Sequence, residues 1–233
     1  MQIPTNTKSC DLISPELRNL LLSIGTKKKI YKNDFLFREG KEANEIYLLQ
    51  SGIVQISKLT YGGKQLLFRV CKKHDIVGAL TSFAGDPRFL LSCNVFTDGE
   101  VIGIKKDLLE KELLSNSTLT LEFIRWESAH MRKFQSKFRD LLLNGKKGAL
   151  YSTLIRFSNS YGIETNNEIL INLVITNQEL GDFCATTKES VNRMLNELRQ
   201  KNVISIDANA KITIHDIAFL RETIGCEYCP IEI

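Results

Sequence analysis

The stretch ITNQELGDFCATTKESVNRMLNELRQKNVISI, residues 175–206, has the organisation of two helices joined by a tight turn. Thr176 with Glu179, and Thr186 with Glu189, carry capping-box spacing: each hydroxyl can accept from an orphan N–H and each carboxylate can reach back. Two helix starts are thus marked ten residues apart. Leu180 and Phe183 face inward from the first helix. Val191, Met194, Leu195 and Leu198 give the second an i, i+3, i+4, i+7 apolar stripe. Lys188, Glu189, Asn192 and Arg193 then share the opposite face, with Thr187 and Ser190 beside them, and such groups suit base edges and phosphates. An amphipathic helix pair with an ordinary charged surface fits the same pattern, and Glu189 has a structural job as a cap partner.

The flanking residues favour a nucleic-acid module. Val203–Ile206, a turn at Asp207–Ala210 and Lys211–His215 alternate as a two-stranded hairpin, and Ile169–Ile175 supplies a third apolar-alternating strand upstream. Strand, helix, turn, helix and hairpin make the winged form of the helix-turn-helix.

The chain has 233 residues, 43% of them hydrophobic, which is room for two small domains with real cores. No apolar run approaches a membrane span, and Met1–Asn6 lacks the layout of a signal peptide, so a cytoplasmic protein with no membrane partner is expected. Six cysteines (10, 71, 93, 184, 226, 229) read as reduced thiols or metal ligands rather than a disulfide framework. The net charge is +4, yet from Lys146 onward nine Lys or Arg face eleven Asp or Glu. Any attraction for DNA must come from local placement: the recognition face, the basic run Arg132–Arg139, and Lys146 with Lys147.

The first half has another rhythm. Ile30–Phe37, Glu45–Leu49, Ile53–Leu59, Gln65–Val70, Leu91–Phe96 and Glu100–Ile104 are strand-like, separated by glycines at 40, 52, 62, 63, 78, 85 and 99. Such spacing predicts an all-β roll or barrel. Helices are expected at Pro15–Leu22 and Lys106–Leu113. Ser117–Asn144 then runs without Pro or Gly. Ile124, Met131 and Phe138 recur every seven residues, with Phe134 and Leu141 three residues after the last two. That is the a/d seam of a dimerisation helix, which would also supply the two recognition helices a palindrome requires. A single long helix packed on its own domain is the plainer alternative. Asn144-Gly145 ends the helix with a left-handed cap. The expected class is α+β, with a β-roll sensor domain over 1–116, a dimerisation helix over 117–145, and a winged helix-turn-helix with a cysteine tail over 146–233.

This order resembles the Crp/Fnr family of bacterial transcription regulators. The likeness is carried by FREG (37–40), IYLLQSG (46–52), DIVG (75–78) and KESVNR (188–193). Within the family it is similar to the Bacillus-type Fnr branch of anaerobic regulators, through QSKFRDLLLNGKKGALYSTLI (135–155). The resemblance implies a cyclic-nucleotide-binding-like roll, a homodimer, RNA polymerase as partner, and a TGTGA-type operator contacted by Glu189 and Arg193. Lys188 would meet phosphate or a base edge, with Asn192 its neighbour.

Three readings of the sensor half compete. Cyclic-nucleotide members hold ribose and phosphate with a Gly-Glu-Leu turn and a following arginine. Here the turn is Gly78-Ala79-Leu80, and Phe89–Ser92 has no arginine, though a register shift would let Arg88 serve. A buried phosphodiester without its guanidinium is poorly compensated, so no cAMP is expected. A cupin-like metal enzyme needs clustered histidines, whereas His74, His130 and His215 are scattered. No nucleophilic triad or phosphate-cradling loop appears either, and no enzyme is expected.

The third reading concerns the tail GCEYCPIEI (225–233), whose C-x-x-C suits one metal or cluster, a redox dithiol, or two plain thiols. The resemblance implies a [4Fe–4S] cluster held by a C-x2-C-x4-C tail and an aspartate of the dimer helix. Cys226 and Cys229 match the first two thiols, Asp140 matches the carboxylate, and the third cysteine would fall one position beyond Ile233. Cys10 could stand in for it. Loss of the cluster to oxygen would then release a tie between the tail and the hinge at Asn144-Gly145. The alternative switch is a Cys226–Cys229 disulfide, or none; a small-ligand sensor is more distant. By composition Asp140 is an ordinary solvated helix residue, paired with Arg139 or Lys137. Cys71, Cys93 and Cys184 sit in apolar contexts as packing residues.

Overall fold

Two long strands carry the first half. In the computed structural model, which describes residues 13–63, 65–78, 83, 85, 87–166 and 168–225, β3 (Glu45–Leu59) and β6 (Ser92–Lys105) pair antiparallel from Glu45↔Lys105 to Ser57↔Ser92. Around them lie β1 (Thr26–Ile30), β2 (Phe35–Phe37), β4 (Gln65–Cys71) and β5 (Ile76–Val77). The sheet order is β1-β6-β3-β4, with β2 on β6 and β5 on β3.

The strands expected to end near Gly52 and Gly99 instead run through them. At Gly99 an added Cβ would lie 2.2 Å from the Ser51 carbonyl oxygen, and Gly52 has φ +84°. The register shifts on either side of Ser51. These glycines therefore mark a bulge where two backbones close on each other, not turns. Ile30–Phe37, expected as one strand, is two. A turn at Tyr31–Asp34 separates them, closed by Asp34 N–H donating to Tyr31 C=O (3.1 Å), with Asn33 at φ +71°.

Strand period 2 then divides the apolar side chains between two cores. Tyr47, Leu49, Val54, Ile56, Val95 and Val101 fill the roll with Phe37 and Phe89, whose rings stack at 4.0 Å. Ile46, Leu48, Ile102 and Ile104 point the other way, against helices. Those are α1 (Pro15–Ile24), α2 (Lys106–Ser115) and the start of α3 (Ser117–Leu143), which contribute Leu17, Leu21, Leu109, Leu113, Phe123 and Trp126. Burial on both faces explains why IYLL reads as an unbroken apolar run. Ser14 caps α1, accepting from the Leu17 N–H at 3.0 Å.

Two units are distinguished along the chain: one takes the chain up to Lys58 with Phe68–Arg132, the other Leu59–Leu67 with everything from Lys133. The second holds α4 (Gly145–Tyr161), α5 (Asn177–Phe183), α6 (Lys188–Gln200), α7 (Ile217–Thr223) and a four-stranded sheet. Its strands are β7 (Gly162–Thr165), β8 (Glu168–Ile171), β9 (Ile204–Ile206) and β10 (Ile212–Ile214), in the order β7-β8-β10-β9. The β9–β10 hairpin forms as its alternation indicates; the upstream strand is shorter than Ile169–Ile175 and pairs with β7, which no alternation announced. α4 was equally unmarked. Gly148–Ser158 are all buried, so the helix has no polar face to set a period. Gly145 has φ +57° where α3 ends.

On α3 the face expected to form the seam is uncovered. Ile124, Met131 and Phe138 are 53%, 50% and 52% exposed, while Phe134 and Leu141 are half-buried. Among the described residues no helix is long and apolar enough to cross a membrane.

Candidate nucleic-acid interface and redox site

α5 and α6 owe their angle to the turn between them. The Thr186 N–H donates to the Gly181 carbonyl at 2.9 Å, so the turn folds back onto α5. A Cβ at Gly181 would come within 2.9 Å of the Thr186 carbonyl oxygen, which only glycine avoids. At the start of α5 the Thr176–Glu179 capping box forms: the Glu179 N–H donates to Thr176 Oγ1 (3.2 Å), and the Thr176 N–H donates to Glu179 Oε2 (2.8 Å). The second expected box does not form. Thr186 is drawn into the turn with its hydroxyl buried, and Thr187 caps α6 instead, accepting from the Ser190 N–H at 3.3 Å. Glu189 therefore lies one position earlier in the helix than a box partner would. Its pKa is lowered by a backbone hydrogen bond and by Thr187.

Val191, Met194, Leu195 and Leu198 are buried, and Phe183 meets Phe157 of α4 edge-on at 5.2 Å. The helix pair is thus anchored through α4. Thr187, Lys188, Glu189 and Arg193 are exposed on the far side, with Ser190 and Asn192 half-buried beside them. Asn177, which no motif singles out, donates its amide N–H to Asn192 Oδ1. This occupies an acceptor of Asn192, whose amide nitrogen is donor-only. Only the fold could reveal this pair, fifteen residues apart.

Three of the basic groups expected to create a positive field are engaged. Lys147 pairs with Glu197 at 3.0 Å, and Arg139 with Asp140 at 3.0 Å. Lys137, assigned by periodicity to the polar face, is half-buried: its ammonium donates to the Leu67 carbonyl at 2.5 Å and sits 4.5 Å from the centre of the Phe183 ring. Burial pushes its pKa down to about 7, Arg156 reinforces the shift, and Cys184 opposes it. Between about pH 7 and the usual lysine value the unfolded chain holds this proton and the folded chain does not. This residue's contribution to stability therefore rises with pH across that window and is flat below it. Lys137→Met is expected to remove the rise and to stabilise the fold at pH 6 by on the order of 2 kcal/mol. Urea unfolding at pH 6 and pH 9 checks this; an unchanged pH slope rejects it.

Asp140 is not a solvated residue. It is 3% exposed, and both oxygens are engaged. Oδ1 accepts from Arg139 Nε (3.2 Å) and Nη2 (3.0 Å); Oδ2 accepts from Ser152 Oγ and from Arg156 Nη2 (2.7 Å). Burial alone would raise its pKa, but the bonds from Ser152, Arg156 and Arg139 outweigh that and hold it below the usual carboxylate value. A carboxylate has about four acceptor positions, and here they are filled. As it stands, then, Asp140 does not fit the role of an iron ligand. Cys226 and Cys229, with Cys10, lie outside the described residues, and among those described no group of three His, Cys, Asp or Glu could hold a metal. Cys71, Cys93 and Cys184 are buried cysteines outside any disulfide, as their apolar surroundings indicate.

In the roll, Ala79 and Leu80 also lie outside the described residues. Arg88 donates to the Gly40 carbonyl at 3.1 Å. The three histidines are in separate places: His130 is buried against Trp126 (4.1 Å between rings), His74 is in the turn before β5, and His215 bridges Glu168 (2.8 Å) and Ser205 (2.9 Å) on the wing sheet.

Residues 27–116 match the cyclic nucleotide-binding domain, and residues 149–223 the Crp-like helix-turn-helix domain. The chain is 60% identical over 223 residues to the anaerobic regulatory protein of Bacillus subtilis, covering 96% of this chain and 94% of that one. It is 25% identical over 186 residues to a global nitrogen regulator of Nostoc, covering 79% and 82%. Among solved structures, FixK2 from Bradyrhizobium japonicum superposes with TM-score 0.74 at 17% identity, over 86% of this chain and 97% of that one. A CooA mutant from Carboxydothermus hydrogenoformans gives 0.75 at 15%, over 88% and 90%. These two show a shared fold. With a helix-turn-helix whose polar face stands clear of its core, and with that identity over nearly the whole length, the chain belongs to the Crp/Fnr family of DNA-binding transcription regulators.

Proposed function

We propose that this regulator acts as a homodimer in the anaerobic response, reading a TGTGA-type palindrome with one α6 in each half-site. The observation that carries it is the exposed polar face of α6, on a chain 60% identical to an anaerobic regulatory protein. Arg193 can donate twice to a guanine and Glu189 can accept from a cytosine amino group. Lys188, Thr187, Ser190 and Asn192 surround them, within reach of backbone phosphate. The exposed seam at Ile124, Met131 and Phe138 supports pairing with a second copy, and RNA polymerase is the partner that a DNA-bound regulator addresses.

The switch in this reading is an oxygen-sensitive [4Fe–4S] cluster at Cys226 and Cys229 with a further thiol. Its support is the likeness to the anaerobic branch. One observation favours the second reading, a Cys226–Cys229 thiol/disulfide switch or no switch: Asp140 already has its acceptor positions filled. Anaerobic reconstitution with iron and sulfide, followed by operator titration, separates the two. Stoichiometric sulfide uptake coupled to tighter operator binding supports the cluster. No uptake, with a thiol count that falls by two on oxidation, supports the disulfide.

A further inference from the structure

The end of the dimer helix and the start of the DNA-binding unit are joined covalently by Asn144-Gly145, but a buried polar cluster holds them. Arg156 is 4% exposed, and its guanidinium reaches three partners. Nη2 donates to Asp140 Oδ2 (2.7 Å) and to Ser136 Oγ (2.9 Å), both on α3, while Nε donates to Ser152 Oγ (3.2 Å) within α4. Ser152 in turn donates to Asp140. The cluster therefore ties two helices at two points each, with both charges almost wholly out of water.

A buried pair of this kind adds little net stability over apolar packing, but it admits few alternative geometries. A planar fork with three fixed bonds sets an angle in a way that apolar contacts, which slide, do not. The angle it sets is passed on. α4 carries Phe157, which meets Phe183 of α5 edge-on, and α5 is bound through the Gly181–Thr186 turn to α6.

We propose that Arg156 is a positioning residue for DNA recognition: with Ser152 it clasps Asp140 and so sets the direction of α6 relative to the end of α3. This rests on the reading of α6 as the recognition helix. It has a second consequence. The clasp decides how a metal could reach Asp140: Oδ2 is held by Ser152 and Arg156, whereas Oδ1 faces only the exposed Arg139. A cluster that took Oδ2 would open the clasp; one that took Oδ1 would displace Arg139 and leave it closed.

The test uses the full-length protein, kept reduced and free of iron, as Asp140→Asn, Arg156→Gln, the double variant, and the milder Ser152→Ala. Spin labels at the exposed positions Gln135 of α3 and Gln200 of α6 report the angle, and titration against a TGTGA operator reports recognition. Each single variant is expected to broaden the label distances and weaken operator binding at least tenfold. The double variant, with two neutral amides facing each other, is expected to recover much of both. Melting temperatures that fall while label distances and operator affinity stay as in the parent overturn the proposal, as does strict additivity in the double variant. Should Arg156→Gln fail to fold, Ser152→Ala decides by the same two readouts. A parent protein that binds the operator neither iron-free nor after anaerobic reconstitution refutes the recognition reading; the label distances still judge the clasp.

Discussion

Arg193→Ala is expected to abolish specific operator binding while leaving the dimer intact. Arg193 is exposed, and the helix that carries it is anchored from the other side by Val191, Met194, Leu195 and Leu198, so truncation removes no core contact. What it removes is a fork of donors, for which alanine has no substitute. A good bidentate pair is worth about 1–3 kcal/mol of discrimination per base pair. In a palindrome the loss is taken twice, which corresponds to a drop in affinity of roughly 30-fold to more than 10⁴-fold. Glu197 is held below its usual pKa mainly by its hydrogen bond to Lys147, with a smaller contribution from the Arg193 charge. Gel-shift titration at fixed salt, with sedimentation to confirm the dimer, checks the outcome. Operator affinity equal to the parent's would remove Arg193 from the interface.

Met131→Glu is expected to separate the protomers. Met131 stands midway along the seam, seven residues from Ile124 and from Phe138, and all three are about half exposed in the single chain. In a two-fold dimer each substitution places two carboxylates in one apolar seam. The effective cost of burying an ion without a partner is several kcal/mol, enough to raise the dimer dissociation constant by at least about 100-fold. Operator binding should fall with it, because the second half-site is then no longer held at high effective concentration. The fold of each protomer should persist, since the position is not in either core of the roll unit. Sedimentation equilibrium together with circular dichroism tests this. A dimer as tight as the parent's would show that the protomers meet elsewhere.

Both expectations draw on features that were legible in the sequence. The stripe on α6 and the seven-residue spacing on α3 are local, because a helix places i, i+3, i+4 and i+7 on one face wherever it packs. The same holds for the Thr176–Glu179 box. Errors arose where locality failed. Gly52 and Gly99 look like turn residues in one dimension; they lie opposite each other in the β3–β6 pairing, and a bulge there needs what a turn needs. Thr186 and Thr187 are both chemically able to cap α6. The return of the Thr186 N–H to Gly181 decided between them, and that bond belongs to the turn, not to the helix.

By itself the sequence determined the roll, the long helix and the polar face of α6, since each depends on periodicity and on the preferences of short segments. Only the tertiary structure decided which charges are out of water. Lys137 and Asp140 flank Arg139 in a polar-looking stretch, and helical period alone sends all three to solvent, where only Arg139 stays. Instead Lys137 meets Leu67 and Phe183, and Asp140 meets Arg156 and Ser152. Whether a charge is buried depends on what another element brings opposite it, and in low dielectric the opposing group sets its energy. No spacing along one helix carries that information. For the same reason a carboxylate that looked available is clasped, and an arginine that no motif marked stands at the centre of the corner between α3 and α4.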